Sequence, residues 1–265
     1  MFESEELAKY VRVKAIEMCS NGQSSHVGSV LSIADILAVL YSKILQYDAN
    51  NPLLENRDRF ILSKGHAGAG LYAVLSKCGF VKESILDSHY QNGSYLSGHV
   101  CHKLFPGIEF STGSLGHGLP VSVGKALAIK LKKLNSKVFC LMSDGELDEG
   151  SNWEAFLSAS HHKLNNLVAI IDRNRLQSIE DTEKTLALEP LKEKLISFGF
   201  NVAVIDGHCH LALKNTFENL SFKKPNIIIA NTIKGKGVNF MENKVLWHYR
   251  SPSKDEVNIS KEQIL

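Results

Sequence analysis

Residues 140–177 read CLMSDGELDEGSNWEAFLSASHHKLNNLVAIIDRNRLQ. Short apolar runs, Val138 to Met142 and Leu167 to Ile171, flank a stretch of helical character from Ser151 to His162. Each run stops at a polar cluster, Ser143-Asp144-Gly145 after the first and Asp172-Arg173-Asn174 after the second. A strand, a helix and a second strand in this order form a crossover between parallel strands. Downstream, Val202 to Ile205 and Ile227 to Ala230 repeat the apolar pattern, with helical stretches at Leu191 to Phe198 and Leu211 to Leu220. The expected fold is α/β: a parallel sheet of four fully buried strands with helices on both faces. Asp206-Gly207-His208 and Asn231-Thr232 end the later strands. In open parallel sheets ligands bind at the carboxyl ends of the strands, so the four polar clusters are expected along one edge that forms a site.

Upstream, Leu119, Val123, Leu127, Leu131 and Leu134 fall on one helical face, with Pro120 near its start. The first half reads as mostly helical, with amphipathic segments near 3–19, 32–46 and 66–77 separated by glycine-rich loops. There is no internal repeat or linker, and residues 1–265 are expected to form one domain with a helical N-terminal layer.

Composition narrows the function classes. Of 265 residues, 44% are hydrophobic and 22% charged, which excludes a disordered or collagen-like chain. A net charge of +2 gives no sign of a nucleic-acid or membrane-surface partner. Lys130, Lys132, Lys133 and Lys137 read as a solvated cluster at a helix end. Five cysteines without close pairs point to a reduced, cytoplasmic protein. The acidic start MFESEELAKY is unlike a signal peptide, and no apolar stretch has the length of a membrane span.

Asp144-Gly145 and Asn174, thirty positions on, bring a carboxylate and an amide oxygen to adjacent strand ends. Such oxygens suit a hard Mg²⁺ ion bridged to a diphosphate, and the glycine lets a phosphate approach the backbone. An Asp-Gly turn and a loop asparagine account for the same residues, so the spacing alone leaves both readings open.

The segment 140–177 resembles the thiamine-diphosphate signature, with Ser143 in place of its first glycine. SSHVGSVLSIADILAVLY (24–41), DRFILSKGHAGAGLYAVL (58–75), SGHV (97–100), STGSLGHGLPVSVGKALA (111–128) and NTIKGKGVNFMENKVLWH (231–248) are similar, in order and spacing, to landmarks of the N-terminal half of transketolase. The resemblance implies a thiamine-diphosphate-binding fold and assigns the Mg²⁺ ligands to Asp144, Asn174 and the Leu176 carbonyl. It places Gly145, Glu149 at a helix start, Gly113, Leu115, Lys64 and Lys234 around thiamine diphosphate. It makes His26, His66, His99 and His248 the active-site histidines: His66 and His248 beside the cofactor, His26 and His99 facing sugar hydroxyls. Imidazole suits that work because its ordinary pKa lies near neutrality.

His89, His102, His161, His162, His208 and His210 read as surface or structural residues, and Trp153 and Trp247 as packing. His117 stands where the family commonly has glutamine, and both a contact and a bystander role are open to it. Tyr249 and Arg250 follow His248, and Val27 follows His26, where the family commonly has smaller residues or proline. These departures imply a reshaped substrate wall.

A full transketolase continues into a pyrimidine-binding domain that carries the activating glutamate. The resemblance therefore implies one subunit of a split enzyme, completed by a separate C-terminal partner subunit in an α2β2 heterotetramer. Its reaction would be two-carbon ketol transfer between sugars or sugar phosphates. The alternatives are the α subunit of a 2-oxoacid decarboxylase or dehydrogenase, and a non-catalytic cofactor-binding assembly subunit.

Overall fold

The computed structural model describes residues 3–103 and 107–265. The chain opens with α1 (Ser4–Asn21), the short α2 (Val27–Leu31) and α3 (Ala34–Val39), which widens into a π turn over Leu40–Ile44. Strand β1 (Arg59–Leu62), α4 (Gly68–Lys77) and α5 (Gly118–Leu131) precede β2 (Val138–Ser143). The remainder alternates: α6 (Gly150–His161), β3 (Leu167–Arg173), α7 (Thr182–Thr185), α8 (Leu191–Ser197), β4 (Asn201–Asp206), α9 (His210–Glu218), β5 (Asn226–Asn231) and a final α10 (Lys254–Ile264).

All strands pair in parallel, in the order β1-β2-β3-β5-β4. Alternate residues feed two cores because successive side chains leave opposite faces of a strand. Phe139, Leu141, Val168, Ile170 and Ile228 join α1, α3, α4 and α9 on one face. Val138, Cys140, Met142, Leu167, Ala169 and Ile171 join α5, α6 and α8 on the other. This is the two-sided α/β architecture expected from the apolar runs.

Three expectations change. The N-terminal half supplies a strand: Arg59–Leu62 pairs with β2 and is only four residues long, too short for a periodicity to register. β4 is an edge strand with Val204 45% exposed, so it is not fully buried. On α5 the buried face is Leu119, Ser122, Val123, Ala126 and Ile129, while Leu131 lies exposed at the helix end. The four lysines of the basic cluster are exposed as expected, but only Lys130 meets helix-end carbonyls, those of His162 and Lys163 at 2.9 Å past α6, while Lys132 pairs with Glu55. None of the five cysteines is in a disulfide, and no described helix is long and apolar enough to cross a membrane.

His89, expected to be a loop residue without a special role, is 2% exposed and meets Ser24 Oγ through Nε2 at 3.2 Å, while its Nδ1 has no partner. Burial pushes its pKa down to about 4. The unfolded chain, with histidine near 6.5, then binds more protons than the folded one between those two values. Stability from this residue is complete above about 6.5 and is lost as pH falls toward 4, by up to about 3 kcal/mol. His89→Gln is expected to flatten the fall in melting temperature between pH 7 and 4.5. An unchanged slope contradicts this account.

Candidate active site

The sheet register aligns the chemistry. Ser143 lies beside Asp172, and Arg173 beside Asn231, so the segments that leave β2, β3 and β5 emerge at one level. Between them and the N-terminal loops lies a cavity of about 330 Å³.

Asp144 is 1% exposed. Its Oδ1 accepts the Gly145 N–H at 2.8 Å, and its Oδ2 accepts the Arg175 N–H at 2.6 Å and Arg173 Nη1 at 3.1 Å. The Gly145 N–H, expected to serve a diphosphate, is thus turned to its neighbouring carboxylate. Asn174 Oδ1 accepts the Leu176 N–H at 3.0 Å, and the Leu176 carbonyl accepts Lys234 Nζ at 3.1 Å. Burial and the neighbouring Asp172 carboxylate push Asp144 up to about 6, so the group disfavours its own charge without a further cation. Burial, then the nearby Lys64, pulls the Lys234 ammonium down to about 8. A buried carboxylate, an amide oxygen and a carbonyl that already attracts an ammonium form a hard-oxygen set suited to Mg²⁺.

Asp172 organises this floor. It accepts hydrogen bonds from Lys64 Nζ, Ser32 Oγ (2.7 Å), Asn174 Nδ2 (2.9 Å) and Thr232 Oγ1. Those cationic and hydroxyl partners outweigh its burial and hold its carboxyl below the usual range. Glu146 does the same for the glycine loop: it accepts from Ser63 Oγ, from the Gly116 N–H at 3.0 Å and from the Ser143 N–H at 3.2 Å. Gly65 is required here, because a Cβ would stand 2.4 Å from Thr112 Oγ1 and 2.5 Å from the Thr112 carbonyl oxygen.

The four histidines converge above the floor. The His26 ring centroid lies 5.2 Å from that of His66, 5.6 Å from His99 and 4.8 Å from His248. His26 adopts φ 77°, donates its N–H to the His248 carbonyl at 2.9 Å and meets Ser25 Oγ through Nδ1 at 2.9 Å. A non-glycine residue held in the left-handed region and bonded on both sides is a fixed feature of the site. His248 Nδ1 lies 3.1 Å from Lys234 Nζ. Burial, reinforced by neighbouring cationic groups, lowers His26 to about 4 and His248 to about 3. His66 is lowered for the same reasons and His99 by burial. At neutral pH all four are uncharged imidazoles, each able to accept a proton at one nitrogen and donate at the other.

Lys64, Gly113, Leu115, Gly145, Asp144, Asn174, Leu176, Lys234 and the four histidines all line the cavity. Glu149 does not: it precedes α6 as the residue at its N-cap, with its side chain against Gly116. His117 is likewise outside, at the N-cap of α5, and Val27 is buried in α2. The β4 strand end stays outside as well, and so do Asn231 and Thr232 at the end of β5, where the loop reaches the cavity only at Lys234. Tyr249 does line the cavity, 60% exposed with its ring 5.0 Å from that of His248, so the phenol stands at the mouth. Sequence reading missed Ser29, Gln177 and Ser178 in the lining and the organising roles of Asp172 and Glu146. The only signal for Asp172 was its place at a strand end.

Comparison with known proteins identifies the family. A family model described as transketolase, thiamine diphosphate binding domain, matches residues 3–264. One of the subunits of the apulose-4-phosphate transketolase of Actinobacillus succinogenes is 39% identical over 264 residues, covering 99% of this chain and 96% of the relative. The 6-deoxy-6-sulfo-D-fructose transketolase subunit SqwG of a Clostridium species is 38% identical, covering 91% of this chain and 88% of that one. The crystal structure of transketolase from Campylobacter jejuni superposes with a TM-score of 0.94 at 32% identity, covering all of this chain and 43% of the longer protein. A parallel sheet carrying a strand-end oxygen set, a ring of imidazoles and these relatives leave one assignment: the chain belongs to the transketolase family, in its thiamine diphosphate-binding domain.

Proposed function

We propose that residues 1–265 form one diphosphate-binding domain that serves as the cofactor subunit of a two-subunit transketolase. With a separate C-terminal, pyrimidine-binding subunit in an α2β2 heterotetramer, it moves a two-carbon ketol unit from a ketose to an aldose. The carrying observation is the convergence of four uncharged imidazoles over the Asp144, Asn174 and Leu176 oxygen set. Relatives of nearly the same length, each named as one subunit of a transketolase, support the division of labour. The cysteines, none in a disulfide, support action in the cytoplasm.

Thiamine diphosphate supplies the nucleophilic carbon and the electron sink when bound. This chain's residues position and handle protons. Asp144, Asn174 and the Leu176 carbonyl hold Mg²⁺. Lys64 and Lys234 place two ammonium charges toward the diphosphate, with His66 and His248 alongside. His26 and His99 receive a proton from a sugar hydroxyl and return it to the product, since an uncharged imidazole serves as a base at neutral pH. Tyr249 narrows the mouth through which the sugar passes.

The purified chain alone is expected to show no ketol transfer, and co-expression with the C-terminal half is expected to restore it. Full transfer by the lone chain would overturn the need for a partner.

A further inference from the structure

Asp35 in α3 is outside the cavity and only 4% exposed, yet three side chains from other segments converge on it. Arg12 of α1 grips both carboxylate oxygens, with Nη1 3.0 Å from Oδ1 and Nη2 on Oδ2. His208, just past β4, meets Oδ2 through Nδ1 at 2.7 Å, and His210 meets Oδ1 through Nε2 at 3.0 Å. Burial pushes the Asp35 carboxyl up, but the bonds from His208 and His210 and the Arg12 charge outweigh it and hold the group well below the usual range.

Two of these partners make a second contact, and both contacts fall on one loop. His208 Nε2 accepts the Ile233 N–H at 2.8 Å, and Arg12 Nε donates to the Lys236 carbonyl at 3.1 Å. Between those anchor points sits Lys234, whose ammonium reaches the Leu176 and Gln177 carbonyls at 3.1 and 3.0 Å and His248 at 3.1 Å. A ring nitrogen that accepts an N–H carries no proton, so the His208 proton lies on Nδ1, directed at Asp35. Gly235 turns the loop at φ 83°, where a Cβ would stand 2.4 Å from the Met241 carbonyl oxygen. The loop therefore has little freedom to find another path to the site.

We infer that His208, oriented by Asp35, is a positioning residue that fixes the loop carrying Lys234 and so sets that ammonium in the active site. The inference rests on the proposed function for its link to cofactor, while the loop anchoring stands on its own contacts. If His208 merely supplied a hydrogen bond to the buried Asp35, only its Nδ1 would matter. Positioning of the loop requires Nε2.

Two variants separate these roles. Asparagine places an N–H near the position of Nδ1 and loses the outer acceptor, whereas glutamine places an oxygen near Nε2. The full chain, wild type and each variant, is examined by amide hydrogen exchange and thermal unfolding. Thiamine diphosphate with Mg²⁺ is then titrated into each chain assembled with its partner. In His208→Asn the Ile233 amide is expected to lose protection, while the Gly235 amide, bonded to the Gly28 carbonyl at 3.0 Å, keeps its own. Cofactor affinity should weaken about 10- to 100-fold, the range for groups that orient ligands from behind. His208→Gln, which keeps an outer acceptor but gives up the Asp35 contact, should lose less of both properties than His208→Asn. An unchanged Ile233 amide in His208→Asn, or equal losses in the two variants, overturns the inference. Loss of amide protection with undiminished cofactor affinity overturns the link to Lys234. A wild-type assembly that binds no cofactor counts against the proposed function, and the exchange data still decide the anchoring.

Discussion

Replacing Asp144 with alanine is expected to abolish magnesium-dependent cofactor binding in the proposed assembled enzyme. The carboxylate is the only anionic member of the proposed metal set, and a carbonyl and an amide cannot replace its charge. Its Oδ2 accepts from both the Arg173 guanidinium and the Arg175 N–H, whereas Oδ1 accepts the Gly145 N–H, so Oδ1 is the less occupied oxygen for a metal. Alanine also removes a buried partner of Arg173, but Glu183 at 2.7 Å and Glu189 at 3.0 Å continue to balance that guanidinium. Asp144→Asn keeps the volume and an acceptor for the Gly145 N–H, which separates loss of charge from loss of packing. In calorimetry the alanine variant should give no binding heat for thiamine diphosphate with Mg²⁺, and the asparagine variant should bind more weakly than wild type because the anionic ligand is gone. Affinity equal to wild type, with and without chelator, would exclude Asp144 as a ligand.

The histidines should fail in two ways. Alanine at His26 or His99 lowers the turnover rate by roughly 10²–10⁴ and leaves cofactor affinity nearly intact, as for a group that handles substrate protons. Alanine at His66 or His248 weakens cofactor binding as well, and the His248 change also takes away a neighbour of Lys234. With its pKa lowered to about 4, His26 stays uncharged throughout the neutral range. Its ability to accept a proton is complete well above 4 and is lost as pH falls through that value, so it contributes no fall in rate between pH 8 and 6. Rates, cofactor titrations and melting temperatures of the four variants distinguish these outcomes. Parallel loss of stability and activity in all four, with no selective kinetic defect, would show that the rings only support the fold.

The sheet was legible because β2, β3 and β5 are continuous apolar runs closed by polar residues, a pattern that burial on both faces imposes. β1 was not, since a strand of four residues between loops carries no period, and its partner lies far along the chain. The candidate site was readable to the extent that motif residues mark it, and the cavity does gather Lys64, the histidines and the strand-end oxygens. What motifs do not reveal is which groups hold those residues. Asp172, Glu146 and Asp35 act through contacts spanning 108, 83 and 173 positions to Lys64, Ser63 and His208. Nothing local in the sequence marks such pairings. His208 reads as an ordinary residue after a strand because its partner Asp35 belongs to a helix near the other end of the chain.

The cavity lining runs from His26 to Tyr249 and draws on segments before and after nearly every strand. No partial opening of the chain can separate the first helices, the β1 end or the loop after β5 from the rest and keep the lining whole. A bound ligand is therefore linked to joint unfolding of the segments that line the cavity instead of to the closing of one loop. At a free concentration of 100 times Kd, that linkage adds about 2.7 kcal/mol to the folded state. Under the function proposed above, a cofactor held by residues drawn from so much of the chain gives the fold a thermodynamic reserve that comes from the small molecule.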